Sequence, residues 1–146
     1  MNSNYLKDKQ AKQNKIQAAT EAEEQRLISF AQKDIVNLFQ TVGQRVDQYN
    51  EQANRDVKAL LLAGTGQSCA AMIGNYNLTC ELSGKELTIK WFEKGCKPEA
   101  HQYYALEKPT NTGFIYSWWG SATKDKDCQS KGLADIAFDK LVSITR

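Results

Sequence analysis

The chain has 146 residues, of which 41% are hydrophobic and 25% are charged, and this length fits one domain. Its 19 lysines and arginines against 17 aspartates and glutamates leave a formal net charge of +2, without the basic excess that marks most nucleic-acid-binding proteins. No stretch approaches the roughly 18 consecutive apolar residues of a membrane span. We therefore expect neither a nucleic-acid partner nor a membrane span in this chain.

The first half of the chain predicts a polar extension followed by a long helix. Residues 1–20 are rich in Lys, Gln, Asn and Ala, so we expect a flexible or helical extension that buries no face. From Glu21 onward, apolar residues recur at steps of three and four, the spacing of an amphipathic helix. The members of this stripe are Ile28, Ala31, Ile35, Leu38, Phe39, Val42, Val46, Tyr49, Ala53, Val57 and Leu60. The pattern predicts a helix over about residues 21–63, which either projects beyond the domain body or bends at Gly43.

The second half alternates apolar and polar residues, which is the period of a β-strand. Two alternating segments on either side of Ser83–Lys85 predict a β-hairpin with one buried face. Two further strands follow, so we expect a four-stranded antiparallel meander over about residues 75–119. Apolar spacing over about residues 131–144 predicts a short C-terminal helix. The sequence thus predicts a single α+β domain over residues 21–146, in which the long N-terminal amphipathic helix packs on the sheet.

The four cysteines indicate the cellular compartment. Cys69, Cys80, Cys96 and Cys128 contain no C-x-x-C pair, which argues against a structural zinc site and against thioredoxin-like chemistry. An even number in a short chain is typical of disulfides, so we expect all four to be paired in a periplasmic, cell-surface or secreted protein. The pairing stays open, and reduced thiols in a cytoplasmic protein are the alternative. If the protein is exported, we expect an N-terminal signal or anchor to have been removed, because the polar start has no apolar signal region.

A catalytic interpretation of one cysteine is the principal alternative. Cys69 follows a glycine-rich turn, and a cysteine at a helix start has a lowered pKa that makes it nucleophilic. His101 is the single histidine and therefore the one candidate imidazole base. The string QSCAA (residues 67–71) resembles the cysteine-bearing helix start of papain-like peptidases, which implies a Cys69–His101 hydrolase. The competing interpretation is a cysteine held in a disulfide with Cys80, and on it we expect no catalytic residue, no metal and no cofactor.

Aromatic residues are concentrated on the later predicted strands. Alternation puts about half of them on the face away from the core, and exposed aromatic side chains are typical binding anchors. We expect Phe92, Tyr104 and Trp119 to form a partner-binding surface unless the C-terminal helix covers them. Stacking on single-stranded nucleic acid requires a basic sheet, and the charges near these residues are mixed.

The predicted element order also suggests a type of protein. A long N-terminal helix on a four-stranded meander, with cysteines in the later loops, resembles type IV pilin-type ectodomains without their hydrophobic N-terminal segment. Small periplasmic inhibitor or immunity proteins fit the same composition. We therefore expect a non-enzymatic extracytoplasmic module for protein–protein interaction or self-assembly, stabilised by disulfides. A cytosolic helical oligomer, in which the apolar stripe pairs between chains, is a further alternative.

Overall fold

A long helix, an antiparallel sheet and a short C-terminal helix form an α+β structure, which confirms the predicted fold class. The computed structural model describes residues 3–52, 57–63, 66–123 and 126–145. Within these ranges, α1 covers Ser3–Glu51, α2 covers Ser130–Ile144, and a 3₁₀ turn covers Ser121–Thr123. The strands are β1 (Ala59–Ala63), β2 (Ser68–Ile73), β3 (Tyr76–Ser83), β4 (Glu86–Glu93), β5 (Glu99–Thr110) and β6 (Gly113–Trp119).

The described strands form one antiparallel meander in which each pairs with the next along the chain, in the order β1-β2-β3-β4-β5-β6. Two-residue turns join β2 to β3 at Gly74 and β3 to β4 at Gly84. Both glycines have positive φ, 62° and 61°, as such hairpin turns require. The hairpin predicted around Ser83–Lys85 is thereby confirmed.

The predicted strand number and the end of the long helix were wrong. The described sheet has six strands instead of four, because residues 59–63 and 68–73 are strands β1 and β2. The run Ala-Leu-Leu-Leu-Ala continues the three-and-four spacing of the helix, but it pairs in register with β2 instead. The helix ends at Glu51. Predicted helix positions 53–56 lie outside the described residues.

Both helices pack on the same face of the sheet, which we call the inner face. The buried residues of α1 follow the predicted spacing and begin at Leu27 instead of Ile28; they are Leu27, Ala31, Ile35, Leu38, Val42, Val46 and Tyr49. Helix α2 contacts α1 and β3, and the buried Trp91 indole donates a 2.9 Å hydrogen bond to the Ala137 carbonyl. The stripe is thus buried from Ala31 to Tyr49, whereas Val57 and Leu60 of the predicted stripe are exposed.

The N-terminal part of α1 extends beyond this core. The helix has 49 residues, which is about 73 Å at 1.5 Å per residue. No residue before Leu27 whose burial is described is buried, and α1 begins at Ser3, within the extension expected over residues 1–20. The helix continues without a break through Gly43, where an added Cβ would lie 3.3 Å from Leu61 Cδ2.

Polar contacts hold α1 at the β5–β6 side of the sheet. Arg26 donates two hydrogen bonds of 2.8 Å to the Glu107 carboxylate, to which the Tyr116 hydroxyl also donates. The hydrogen bonds from Arg26 hold the pKa of Glu107 below its usual value. About two turns further along the helix, Asp34 accepts a 2.8 Å hydrogen bond from the Trp118 indole. These contacts place the helix diagonally across the inner face, ending beside β1.

Candidate functional site

The sheet face opposite the helices, here called the outer face, is covered by neither α1 nor α2. Strand pairing puts residues in rows across it, because directly opposite residues of an antiparallel pair share a face. Two such rows consist of Leu60, Met72, Asn77 and Phe92, and of Leu62, Ala70, Thr79, Lys90 and Ala100. These two rows therefore combine apolar, neutral polar and basic side chains.

The predicted aromatic surface is divided between two places on the outer face. Tyr104 of β5 lies directly opposite Trp119 of β6, and both side chains are half-buried. Phe92 is on the same face but lies far from this pair. It is six positions along β4 from Glu86, the residue opposite Tyr104, so about 20 Å separates Phe92 from Glu86. The structure thus brings Tyr104 and Trp119 together and leaves Phe92 apart, while α2 covers none of the three.

Strand β1 forms one edge of the sheet and is its most apolar exposed segment. Leu60, Leu61 and Leu62 are 56%, 45% and 44% exposed, and no residue of Ala59–Ala63 is charged. Edge strands of stable monomers usually carry lysines, prolines or bulges that prevent pairing with another chain. On the opposite edge, Cys128 pairs with Trp118 of β6 as an isolated bridge. The β1 edge has no such described strand partner.

The Asn50 side chain protects one end of the β1 edge. Its amide donates to the Ala59 carbonyl at 2.8 Å and accepts from the Ala59 N–H at 2.7 Å. An asparagine amide thereby takes the place of a peptide group in an adjacent strand. The outward backbone groups of Leu61 and Ala63 have no partner among the described residues.

The four cysteines are free thiols in the structure, so none of the predicted disulfides is present. Cys69 and Cys80 are nevertheless direct partners across β2 and β3, and both are buried. The hydrogen bond between them and burial raise the pKa of the Cys80 thiol well above its usual value, and the same hydrogen bond lowers the pKa of Cys69. Opposite residues of a hydrogen-bonded antiparallel pair have Cα atoms about 5.5 Å apart, within the range that a disulfide spans.

The other two cysteines lie at distant places. Cys128 pairs with Trp118, whose partner on β5 is Ala105. Cys96 precedes β5, which begins at Glu99. About 20 Å of strand separates Glu99 from Ala105, and Cys128 lies beyond Ala105 in the same row. The fold therefore accommodates one disulfide, between Cys69 and Cys80, and not the two that an even cysteine count predicts.

The structure does not bring Cys69 and His101 together. Cys69 lies within β2, not at a helix start. Cys80 and Ile89 stand between it and His101 in the same row, which places the two residues three strand spacings or about 14 Å apart. His101 instead packs edge-on against the Trp91 ring, with centroids 4.8 Å apart, and its Nε2 lies 3.4 Å from Glu99 Oε1. A nucleophile and its base need hydrogen-bond contact, which this arrangement does not provide.

Two clefts lie beside α1, and each is lined by an arginine that forms an ion pair. The larger, of about 620 Å³, lies between α1 and α2, where Arg45 forms ion pairs with both Asp135 and Asp139. The smaller, of about 360 Å³, lies between α1 and β6, where Arg26 is already bound to Glu107. The arginines of both clefts are thus engaged by carboxylates of the chain itself.

Comparisons with family models, with curated proteins and with solved structures found no match for this chain. Among the described residues, no helix is long and apolar enough to cross a bilayer. In the same part of the chain, no group of three or more His, Cys, Asp or Glu side chains is placed to hold a metal ion.

The β1 edge and the role of Asn50 were not predicted from the sequence. The signal was present, since a short apolar run bounded by Lys58 and a Gly-Thr-Gly turn is typical of a strand as well as of a helix end. Strand length would have separated the two, because a five-residue run is too short for a helix of its own. The contact of Asn50 with Ala59 depends on where the helix ends, which the pattern did not give.

Proposed function

We propose that the chain is a non-enzymatic module for protein–protein interaction or assembly, and that the β1 edge together with the outer face is its contact surface. The observation that carries this proposal is the exposed apolar edge strand beside a sheet face that no helix covers. Contiguous exposed apolar surface of this kind is typical of interaction sites, and an open edge offers backbone hydrogen bonds to an added strand. A hydrolase is less well supported, because Cys69 and His101 are separated by two intervening strands.

The layout supports assembly in particular. A long helix followed by a meander is the predicted arrangement that resembles pilin-type ectodomains, and we propose self-assembly on that resemblance. In such a layout the solvated part of α1 and the sheet offer two separate contact surfaces. The charge of +2 does not favour a nucleic acid over a protein partner.

The compartment we propose is outside the cytoplasm: periplasmic, cell-surface or secreted. Cys69 and Cys80 lie directly opposite each other and would form one disulfide there, losing two protons and two electrons to a thiol–disulfide exchange partner. Closing a loop of this size stabilises a fold by up to about 3 kcal/mol through the unfolded state. Cys96 is exposed and distant from Cys128, so both stay thiols.

Thiol trapping in the native host tests the compartment. Cells are treated with an alkylating agent before lysis, and the peptides are analysed with and without prior reduction. The proposal expects Cys96 and Cys128 to be alkylated directly, and Cys69 and Cys80 to be alkylated only after reduction. Direct alkylation of all four cysteines in denatured protein would place the chain in a reducing compartment instead.

Site-specific photo-crosslinking tests the interaction surface. A photoreactive amino acid replaces Thr79, at the centre of the outer face, and in a matched variant replaces Gln40, on the exposed side of α1. After irradiation in the native host, the proposal expects a protein adduct of discrete mass from position 79 and none from position 40. Equal adducts from both positions, or none from position 79, would refute the surface that we propose.

A further inference from the structure

We infer that the partner of the β1 edge is a second copy of this chain, whose β1 adds antiparallel to the first across a two-fold axis. The inference rests on the proposed function and names the partner of that same surface. It is carried by the backbone groups that the edge leaves unpaired, by the sequence of β1, and by the position of Asn50.

The direction of each backbone group in β1 follows from the sheet. The Leu82 N–H donates to the Gln67 carbonyl, so odd-numbered residues of β2 form their hydrogen bonds with β3. Even-numbered residues of β2 therefore bond to β1, and the register assigns these bonds to Leu60 and Leu62. Ala59, Leu61 and Ala63 direct their N–H and C=O groups outward. The two hydrogen bonds between Asn50 and Ala59 agree with this direction.

The Asn50 contact selects one register for a second copy. Ala59 is already satisfied, which leaves the outward groups of Leu61 and Ala63 among the described residues. A two-fold pairing that uses them sets Leu61 opposite Ala63 of the second copy, and the reverse, so that four hydrogen bonds form. Leu62 then lies directly opposite its own counterpart on the outer face. Isologous pairing of this kind, in which the same patch serves on both subunits, is the commonest arrangement of homo-oligomers.

The chemistry of β1 suits a second copy. The three residues that pair in this register, Leu61, Leu62 and Ala63, are all apolar, so the pairing sets apolar residue against apolar residue. The flanking Lys58 residues of the two copies fall at opposite ends of the paired strands and do not repel each other. Pairing by this strand alone buries less than the roughly 1,200 Å² of a standard stable interface. We therefore expect a reversible dimer whose population rises with chain concentration.

Disulfide trapping tests the register. Leu62→Cys and Leu60→Cys are made in a background with Cys96→Ser and Cys128→Ser, and the purified full chains are oxidised with diamide. Both leucines are exposed on the same face of β1, but only position 62 meets its own counterpart, at a Cα separation of about 4.5 Å. The inference expects linked dimers for Leu62→Cys at least ten times as abundant as for Leu60→Cys. Equal yields, or none for Leu62→Cys, would overturn it.

Sedimentation equilibrium provides a second test that needs no oxidation. Leu62→Lys sets two positive charges opposite each other at the two-fold axis, and should weaken dimerisation of the otherwise unmodified chain at least tenfold. Ile115→Lys adds the same charge to β6, at a residue that is 58% exposed, and should change it less than twofold. A chain that stays monomeric up to millimolar concentration, or equal effects of the two variants, would refute the inference.

The interaction module and the second copy as its partner can be refuted separately. If position 79 crosslinks to a protein other than this 16.4 kDa chain and Leu62→Cys gives no dimer, the second copy is wrong and the interaction module stands. If position 79 gives no adduct and Leu62→Cys gives no dimer, both are wrong.

Discussion

The Asn50 side chain should contribute measurably to stability because it hydrogen-bonds both backbone groups of the buried Ala59. Asn50→Ala removes both hydrogen bonds to Ala59, each of which contributes about 1 kcal/mol net. Ala59 is only 2% exposed, so water replaces these bonds poorly. Alanine regains up to about 0.5 kcal/mol as the better helix former. We expect the free energy of unfolding to fall by about 1.5–2 kcal/mol, which lowers the urea midpoint by about 1 M at a slope of about 2 kcal/mol/M.

Urea denaturation of Asn37→Ala provides the matched control. Asn37 lies on the same helix, is exposed, and its side-chain amide donates a 3.1 Å hydrogen bond to Asp34 on the same helix. Asn37→Ala has the same change in helix propensity as Asn50→Ala but removes no hydrogen bond to a buried backbone group. We therefore expect its free energy of unfolding to change by no more than about 0.5 kcal/mol. A midpoint for Asn50→Ala equal to that of Asn37→Ala would refute the role of Asn50 as a strand substitute.

Two further predictions concern packing and pH. Gly120→Ala should destabilise the fold by about 1–3 kcal/mol, because the added Cβ would lie 2.6 Å from the Gln102 carbonyl oxygen. Gly132→Ala in α2, where an added Cβ has nothing within 4 Å, should stabilise the fold by up to about 1 kcal/mol. Thermal unfolding that ranks the two variants the other way would contradict this prediction. The lowered pKa of Glu107 beside Arg26 adds stability that is present above the unfolded pKa near 4.5 and is lost as the pH falls through the folded value. Unfolding measured from pH 6 to pH 2 should therefore show a smaller acid-induced loss for Glu107→Gln than for the wild type, and parallel curves would count against the ion pair.

The helix stripe and the central hairpin were predictable because each follows from a local period. Leu38 and Val42 lie one turn apart and bury one face of α1, and the turn at Gly84 needs a residue that tolerates positive φ. Such features depend on neighbours in sequence. The predicted α+β class followed from them.

The β1 edge was not predictable in the same way, because its apolar run fits the period of a helix as well as that of a strand. Leu60 fits the helical stripe as well as it fits a strand, and pairing with Met72 decides between them. The separation of Phe92 from Tyr104 likewise depends on register, which alternation does not give. Cys69 and Cys80 are eleven positions apart in sequence, and only the register of β2 with β3 shows that they are direct partners.

Hydrogen exchange at single amides of β1, measured over a range of chain concentrations, tests most directly whether the open edge is used for association. The account predicts that the Leu61 and Ala63 amides exchange fast in dilute protein and become protected as concentration rises. The Leu60 and Leu62 amides, which already bond to β2, should be protected at every concentration. Fast exchange of Leu61 and Ala63 at all concentrations, in protein that associates, would contradict the account.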